Sequence, residues 1–167
     1  LVETLRSSGE ALLTLLDEIL DFSKVEAGRL DLVLEPFDPI ATLEGCLSLL
    51  AARADARGIE LGAWVSPDVP TTVMGDAQRF SQIVVNLVGN ALKFTEEGCV
   101  GVSIAPDRDA VPSPDTFDGV VTIRDSGIGI PAEQLPLLFQ RFAQGDSSSS
   151  RRFKGTGLGL ASASRRL

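Results

Sequence analysis

Apolar residues recur at three- and four-residue steps across residues 1–28, at Leu5, Leu12, Leu13, Leu16, Ile19, Leu20 and Phe22, with Glu10, Asp17, Glu18 and Asp21 between them. That period predicts a long amphipathic helix that stops at Gly28. Its stripe has to pack against something, which predicts a partner helix. Residues 30–37 switch to alternation, with Leu30, Leu32 and Leu34 on one parity, and predict a short strand ending near Pro36. Helical spacing returns over 40–57, where Leu43, Cys46, Leu47, Leu50 and Ala51 share a face between Pro39 and Gly58. Ile59–Val65 alternates as a strand, followed by a proline-rich turn over 66–70 and a short extended piece over 72–74. Asp76 is the predicted N-cap of a third helix running to about Lys93, with Phe80, Ile83, Val84, Leu87, Val88 and Ala91 on its apolar face. Gly98 then leads into a strand over 99–104, a loop over 105–119, and a strand over 120–124 apolar enough to be central. Beyond Asp125 the chain is punctuated by Gly127, Gly129, Pro131, Pro136 and a run of four serines, with a short helix predicted over 131–142 and a last one from Leu158.

A length of 167 residues and a hydrophobic fraction of 44% suffice for one packed core and an appended element. No apolar run approaches the length of a membrane span, and no signal-peptide pattern opens the chain, so no membrane contact is expected from these residues. Cys46 and Cys99 lie in apolar surroundings without a C-x-x-C spacing and are expected to be buried thiols.

The absence of histidine from the composition changes the picture most. It removes Ser-His-Asp and Cys-His nucleophile systems, histidine metal ligands and histidine general bases. A net charge of −8 argues against nucleic acid as a partner. Locally the sign reverses: residues 141–154 carry Arg141, Arg151, Arg152 and Lys154 against Asp146, which fits either a small-anion site or a solvated loop.

Four clusters carry candidate chemistry. Asn86 and Asn90 are four apart on one helix, followed by Lys93. Amide oxygens are hard donors suited to Mg²⁺ and a lysine suits phosphate, although the pair alone reads equally well as a buried hydrogen-bonding device. Asp125 ends an apolar strand and leads into Ser126-Gly127-Ile128-Gly129, so its carboxylate either accepts from an exocyclic amine such as that of adenine or simply forms a turn. Leu138-Phe139-Gln140-Arg141-Phe142 sets two phenylalanines around a base. Gly155-Thr156-Gly157-Leu158-Gly159-Leu160 opens a helix with backbone that an anion can approach, but it matches neither the P-loop nor the dinucleotide-fold pattern. Protein-kinase signatures are missing as well.

In order and spacing, Asn86-Leu87-Val88-Gly89-Asn90-Ala91-Leu92-Lys93-Phe94-Thr95, Asp125 to Pro131, Leu138 to Phe142 and Gly155 to Leu160 resemble the asparagine, first glycine, phenylalanine and second glycine boxes of sensor histidine kinases. Residues 7–28 resemble the second helix of their dimerisation and phosphoacceptor hairpin, in the style of hybrid kinases. The resemblance implies a Bergerat-type α/β sandwich, a mixed sheet backed by helices with a mobile lid, preceded by a long helix. It divides the chain into 1–28, an incomplete hairpin, and 29–167, an ATP-binding catalytic domain whose last strands are expected beyond this sequence. By this similarity Asn90 with Asn86 would hold Mg²⁺, Lys93 would meet phosphate, Phe94 would lie against adenine and Asp125 would take its amine. Gly127, Gly129, Gly155, Gly157 and Gly159, with Ile130, Phe139, Phe142, Thr156 and Leu158, would shape pocket and lid, and Arg141 or Lys154 would reach the γ-phosphate.

Gyrase-like relatives are expected to carry a glutamate where this chain has Asn86, and an amide takes up no proton, so a site that holds ATP without rapid hydrolysis is expected. The phosphoacceptor histidine is expected elsewhere in a longer protein. The implied partners are ATP, a second copy through the hairpin, and a receiver domain or response regulator, in the cytoplasm. The residues also leave room for a nucleotide-binding or dimerising module without transfer activity, or for another ATPase of the superfamily.

Overall fold

The computed structural model describes residues 32–110 and 116–135, together with Gly9. It divides into two compact units, Leu32–Gly129 and a second formed by Leu1–Asp31 with Ile130–Leu167. Apart from Gly9, the predicted helix over 1–28 lies outside the described residues, as do the one from Leu158 and most of the one over 131–142. Of the latter, residues 131–135 make a single turn closed by Gln134 N–H on Pro131 O at 2.9 Å.

In Leu32–Gly129 the element order is β1 (Glu35–Phe37), α1 (Pro39–Asp55), β2 (Ile59–Val65), β3 (Val73–Gly75), α2 (Ala77–Phe94), β4 (Gly98–Pro106) and β5 (Gly119–Asp125). Both helices start as the sequence predicts. Asp38 accepts from Ile40 N and Ala41 N at 2.8 and 3.0 Å, with Pro39 in the first turn, and Asp76 accepts from Arg79 N at 3.0 Å. Each carboxylate satisfies amides that the helix itself leaves unpaired.

The predicted strand over 30–37 shortens to three residues. Leu32, Val33 and Leu34 are exposed, and Val33 N–H is spent on Asp76 Oδ2 at 3.2 Å instead of a ladder. β1 pairs antiparallel with β3. This ribbon packs on α2 through Phe37 and Phe80, whose ring centroids are 5.7 Å apart, and Gly75 leaves room for the Phe37 ring.

The main sheet has the order β2-β4-β5 and is mixed: β2 runs parallel to β4 from Ile59↔Gly98 to Val65↔Ile104, and β5 is antiparallel to β4. Val100, Val102 and Ile104 alternate inward from β4 onto Leu43, Cys46, Leu50 and Ala54 of α1 and Val84, Val88, Ala91 and Leu92 of α2. Two sequence expectations are corrected. Among the described residues β5 is an edge strand, the centre being β4; of its apolar run Ile123 packs against the core while Val120 and Val121 stay exposed. Cys46 is buried as expected, but Cys99 is exposed, since it falls on the parity opposite Val100.

Candidate functional site

The last turn of α2 carries the predicted lysine and phenylalanine and is fixed from two sides. Thr95, fully buried, donates both its backbone N–H (3.0 Å) and its hydroxyl (2.8 Å) to Ala91 O. The Arg57 guanidinium reaches across from beyond the end of α1 and donates to Leu92 O. Cations at this end also complement the helix dipole. Lys93 Nζ lies 4.8 Å from the centroid of the Phe94 ring. Its ammonium is held below the ordinary lysine value, first by desolvation and then by the charge of Arg53. A cation that is partly desolvated beside another cation gains by meeting an anion.

Asn86 and Asn90 are half-buried, about 12 and 6 Å along the helix axis from Phe94 at the rise of an α-helix. They share one flank. An added Cβ at Gly89, between them, would meet nothing within 4 Å.

The second component is the turn that leaves β5. Asp125 Oδ1 accepts Gly127 N–H at 3.0 Å, leaving Oδ2 without a donor among the described residues. Ile128 N–H donates to Phe94 O at 3.2 Å, which joins this turn directly to the end of α2. The approach is so close that a Cβ on Gly127 would run into the Phe94 carbonyl and stand 2.8 Å from Asp125 Oδ1. Gly129 takes a φ of 68°, a backbone state that glycine tolerates best, in open space. Phe94 and Ile128 are themselves exposed.

Of the residues singled out in the sequence, the structure therefore brings Phe94, Asp125 and Gly127 into one corner, with Lys93 beside it, Gly129 just after it and Asn86 and Asn90 further up α2. Ile130 is 52% exposed and belongs to the other unit. Phe139, Arg141, Phe142, Lys154, Gly155, Thr156, Gly157, Leu158 and Gly159 lie outside the described residues. Sequence reasoning did not find the supporting roles of Arg57, Thr95 and Ser126. Thr95 and Ser126 sit inside motifs that drew notice for other residues, and the partners of Arg57 and Ser126 are 35 and 27 residues away, beyond the reach of any local pattern.

The donor set suits a magnesium nucleotide. Among the described residues no three His, Cys, Asp or Glu side chains gather to hold a cation. A hard cation at Asn86 and Asn90 would take amide oxygens from the protein and the rest of its shell from phosphate and water, the usual manner of Mg²⁺ with nucleotides.

Comparison with known proteins points the same way. The model of the family described as histidine kinase-, DNA gyrase B-, and HSP90-like ATPase matches residues 75–167, more than half of the chain. Hybrid signal transduction histidine kinase L of Dictyostelium discoideum is 39% identical over 96% of this chain and 9% of its own length. The signal transduction histidine-protein kinase BarA of Escherichia coli K12 is 45% identical over 95% of this chain and 17% of its own. The chain thus spans a small part of these relatives. Among solved structures, full-length ShkA in complex with AMPPNP superposes with a TM-score of 0.80 at 34% identity, covering 98% of this chain and 32% of that one. Family match and mixed sheet agree: the chain belongs to the histidine kinase-, DNA gyrase B- and HSP90-like ATPases, and over nearly its whole length it is similar to one segment of histidine kinases.

Proposed function

We propose that this chain holds Mg·ATP and presents its γ-phosphoryl group to a histidine elsewhere in a longer, cytoplasmic signalling protein, in a phosphorelay. Residues 29–167 form the catalytic domain in this reading, and residues 1–28 belong to a helical hairpin that pairs with a second copy. The observation that carries it is the Phe94–Asp125 corner, where Ile128 N–H on Phe94 O ties a carboxylate, with one oxygen that takes no donor from the described residues, to the helix bearing Asn86, Asn90 and Lys93.

Asp125 Oδ2 accepts the adenine amine. Guanine would place an acceptor against that acceptor, and the unpaired contact gives selectivity for ATP. Phe94 lies against the base, Lys93 meets phosphate, and Asn86 and Asn90 supply the amide oxygens for Mg²⁺. When bound, such an ion would neutralise phosphate charge. Asn86 takes up no proton at neutral pH, so this position activates no water and the nucleotide is kept for transfer. Phosphoryl transfer asks mainly for positioning and charge neutralisation, which these groups provide with Arg141 or Lys154. A response regulator or receiver domain would take the phosphoryl group onward; the hybrid kinases among the relatives support that choice.

Titrating the chain with ATP, with and without Mg²⁺, tests the site: Mg-dependent binding is expected, and its absence would end the reading. Asp125→Asn is expected to weaken ATP at least about tenfold, the cost of turning a charge-assisted acceptor into an opposed amide donor, with no change in melting temperature. Unchanged affinity would remove Asp125 from the adenine role.

A further inference from the structure

Between Asp125 and Gly127 stands a residue to which neither the motif nor the family comparison assigns a task. Ser126 grips a single residue of β4 at two points. Its backbone N–H donates to Cys99 O at 3.1 Å, and its hydroxyl oxygen accepts Cys99 N–H at 2.9 Å. The hydroxyl proton has Cys99 O at 3.3 Å and Glu97 O at 3.4 Å to choose from. From the opposite side Gly98, at a φ of 114°, brings its backbone so near that any Cβ there would collide with Ser126 Oγ. The glycine thus keeps clear the space this hydroxyl occupies.

A single backbone bond lets a turn pivot about it, whereas two bonds to one residue fix the direction of the chain on either side. The residue just before this grip is Asp125, whose Oδ1 is already pinned by Gly127 N–H at 3.0 Å. With the main chain at 126 and one carboxylate oxygen both fixed, the aim of Oδ2 is fixed too. The residues after the grip continue to Ile128, whose N–H holds Phe94 O. Along the chain Ser126 therefore stands between Asp125 and the Ile128 N–H that holds Phe94 O.

We propose that Ser126 is the positioning residue that aims Asp125 at the purine amine, so that discrimination between ATP and GTP depends on its hydroxyl. This rests on the assignment of Asp125 to the adenine amine. Ser126 is exposed, so water replaces much of what its hydrogen bonds contribute to folding. Its loss should then be felt in the direction of a neighbouring acceptor more than in global stability, since a purine amine accepts little misalignment.

The test is a set of ATP and GTP titrations, in Mg²⁺, of the wild-type chain, Ser126→Ala, Ser126→Thr, Asp125→Asn and the Ser126→Ala/Asp125→Asn double variant, with melting of each apo protein. Ser126→Ala is expected to weaken ATP about fivefold, within the range one hydrogen bond supplies, and to leave GTP within about twofold. Ser126→Thr, which keeps the hydroxyl, should restore both. In the Asp125→Asn background Ser126→Ala should have less than about a twofold effect, because nothing remains to be aimed. An equal loss for both nucleotides, or an undiminished loss in the double variant, would show a general structural role and overturn the proposal. Should Ser126→Ala fail to fold, Ser126→Cys, similar in shape but a feeble hydrogen-bonding group, takes its place under the same criteria. If instead wild type shows no preference for ATP and Asp125→Asn changes nothing, the adenine assignment itself has failed and the role of Ser126 goes with it.

Discussion

The two helices of the described unit are near twins in construction. α1 has 17 residues and α2 has 18, each begins at an aspartate whose side chain caps the first amides, and each sends an apolar stripe into the one core. Their polar residues part ways. On α1, Ser48 donates to the carbonyl of Glu44 in its own helix, and Leu49 is left 77% exposed. On α2, Asn86, Asn90 and Lys93 are all half-buried, and the last turn is anchored by Thr95 from within and Arg57 from outside. One helix only packs. The other packs with one side and offers its flank to a ligand, and desolvated polar groups on a regular scaffold are what separate the two.

The largest effects should fail to distinguish them. Leu43→Ala in α1 and Leu92→Ala in α2, each replacing a fully buried leucine, are expected to cost about 2–5 kcal/mol apiece in denaturant unfolding. A large gap between the two values would break the view that both helices serve the core alike.

Ligand binding should then separate them. Asn90→Ala is expected to weaken Mg·ATP by about tenfold or more while moving the unfolding midpoint little, whereas Ser48→Ala on α1 should change neither. Equal affinity for the two variants would dissolve the contrast.

The smallest effect concerns the caps. Asp76→Ala should cost about 1 kcal/mol. The Asp76 carboxyl is held below its ordinary value chiefly by the Arg79 N–H bond; burial pushes the other way, and Val33 N–H and the Arg79 charge add to the lowering. A carboxyl whose value is lowered on folding stabilises fully above its unfolded value near 4, and that support fades as pH falls through the lower folded one. Wild type should therefore lose stability in that acid window faster than Asp76→Ala does, in melting followed against pH. Parallel curves would mean that the cap is indifferent to its charge.

The parts of this fold that depend on neighbours in sequence were legible there. Alternation located Ile59–Val65, and Pro39 and Asp76 announced the helix starts. What needed three dimensions was not. Residues 30–37 alternate well enough for a strand, but Val33 N–H finds a carboxylate 43 residues away and the ladder stops at Glu35. The apolar run of β5 suggested a central place because composition does not reveal which edge is covered. At the site, residue types and spacing picked out Asn86, Asn90, Lys93, Phe94 and Asp125, whereas the grip of Ser126 on Cys99 and of Arg57 on Leu92 exists only once distant segments meet.

The crowding around Gly127 has a consequence for how this stretch of chain tolerates variation. Every missense change at a glycine codon adds at least a β-carbon, and at Gly127 even the smallest would collide with the Phe94 carbonyl and part the turn from α2. Gly62 and Gly101, in mid-strand, have nothing within 4 Å of the same atom. A saturation map of the chain would show those two as permissive to alanine and Gly127 as closed to all nineteen alternatives, so the corner where the two motifs join can be located from survival counts alone, with no nucleotide in the assay but the cell's own.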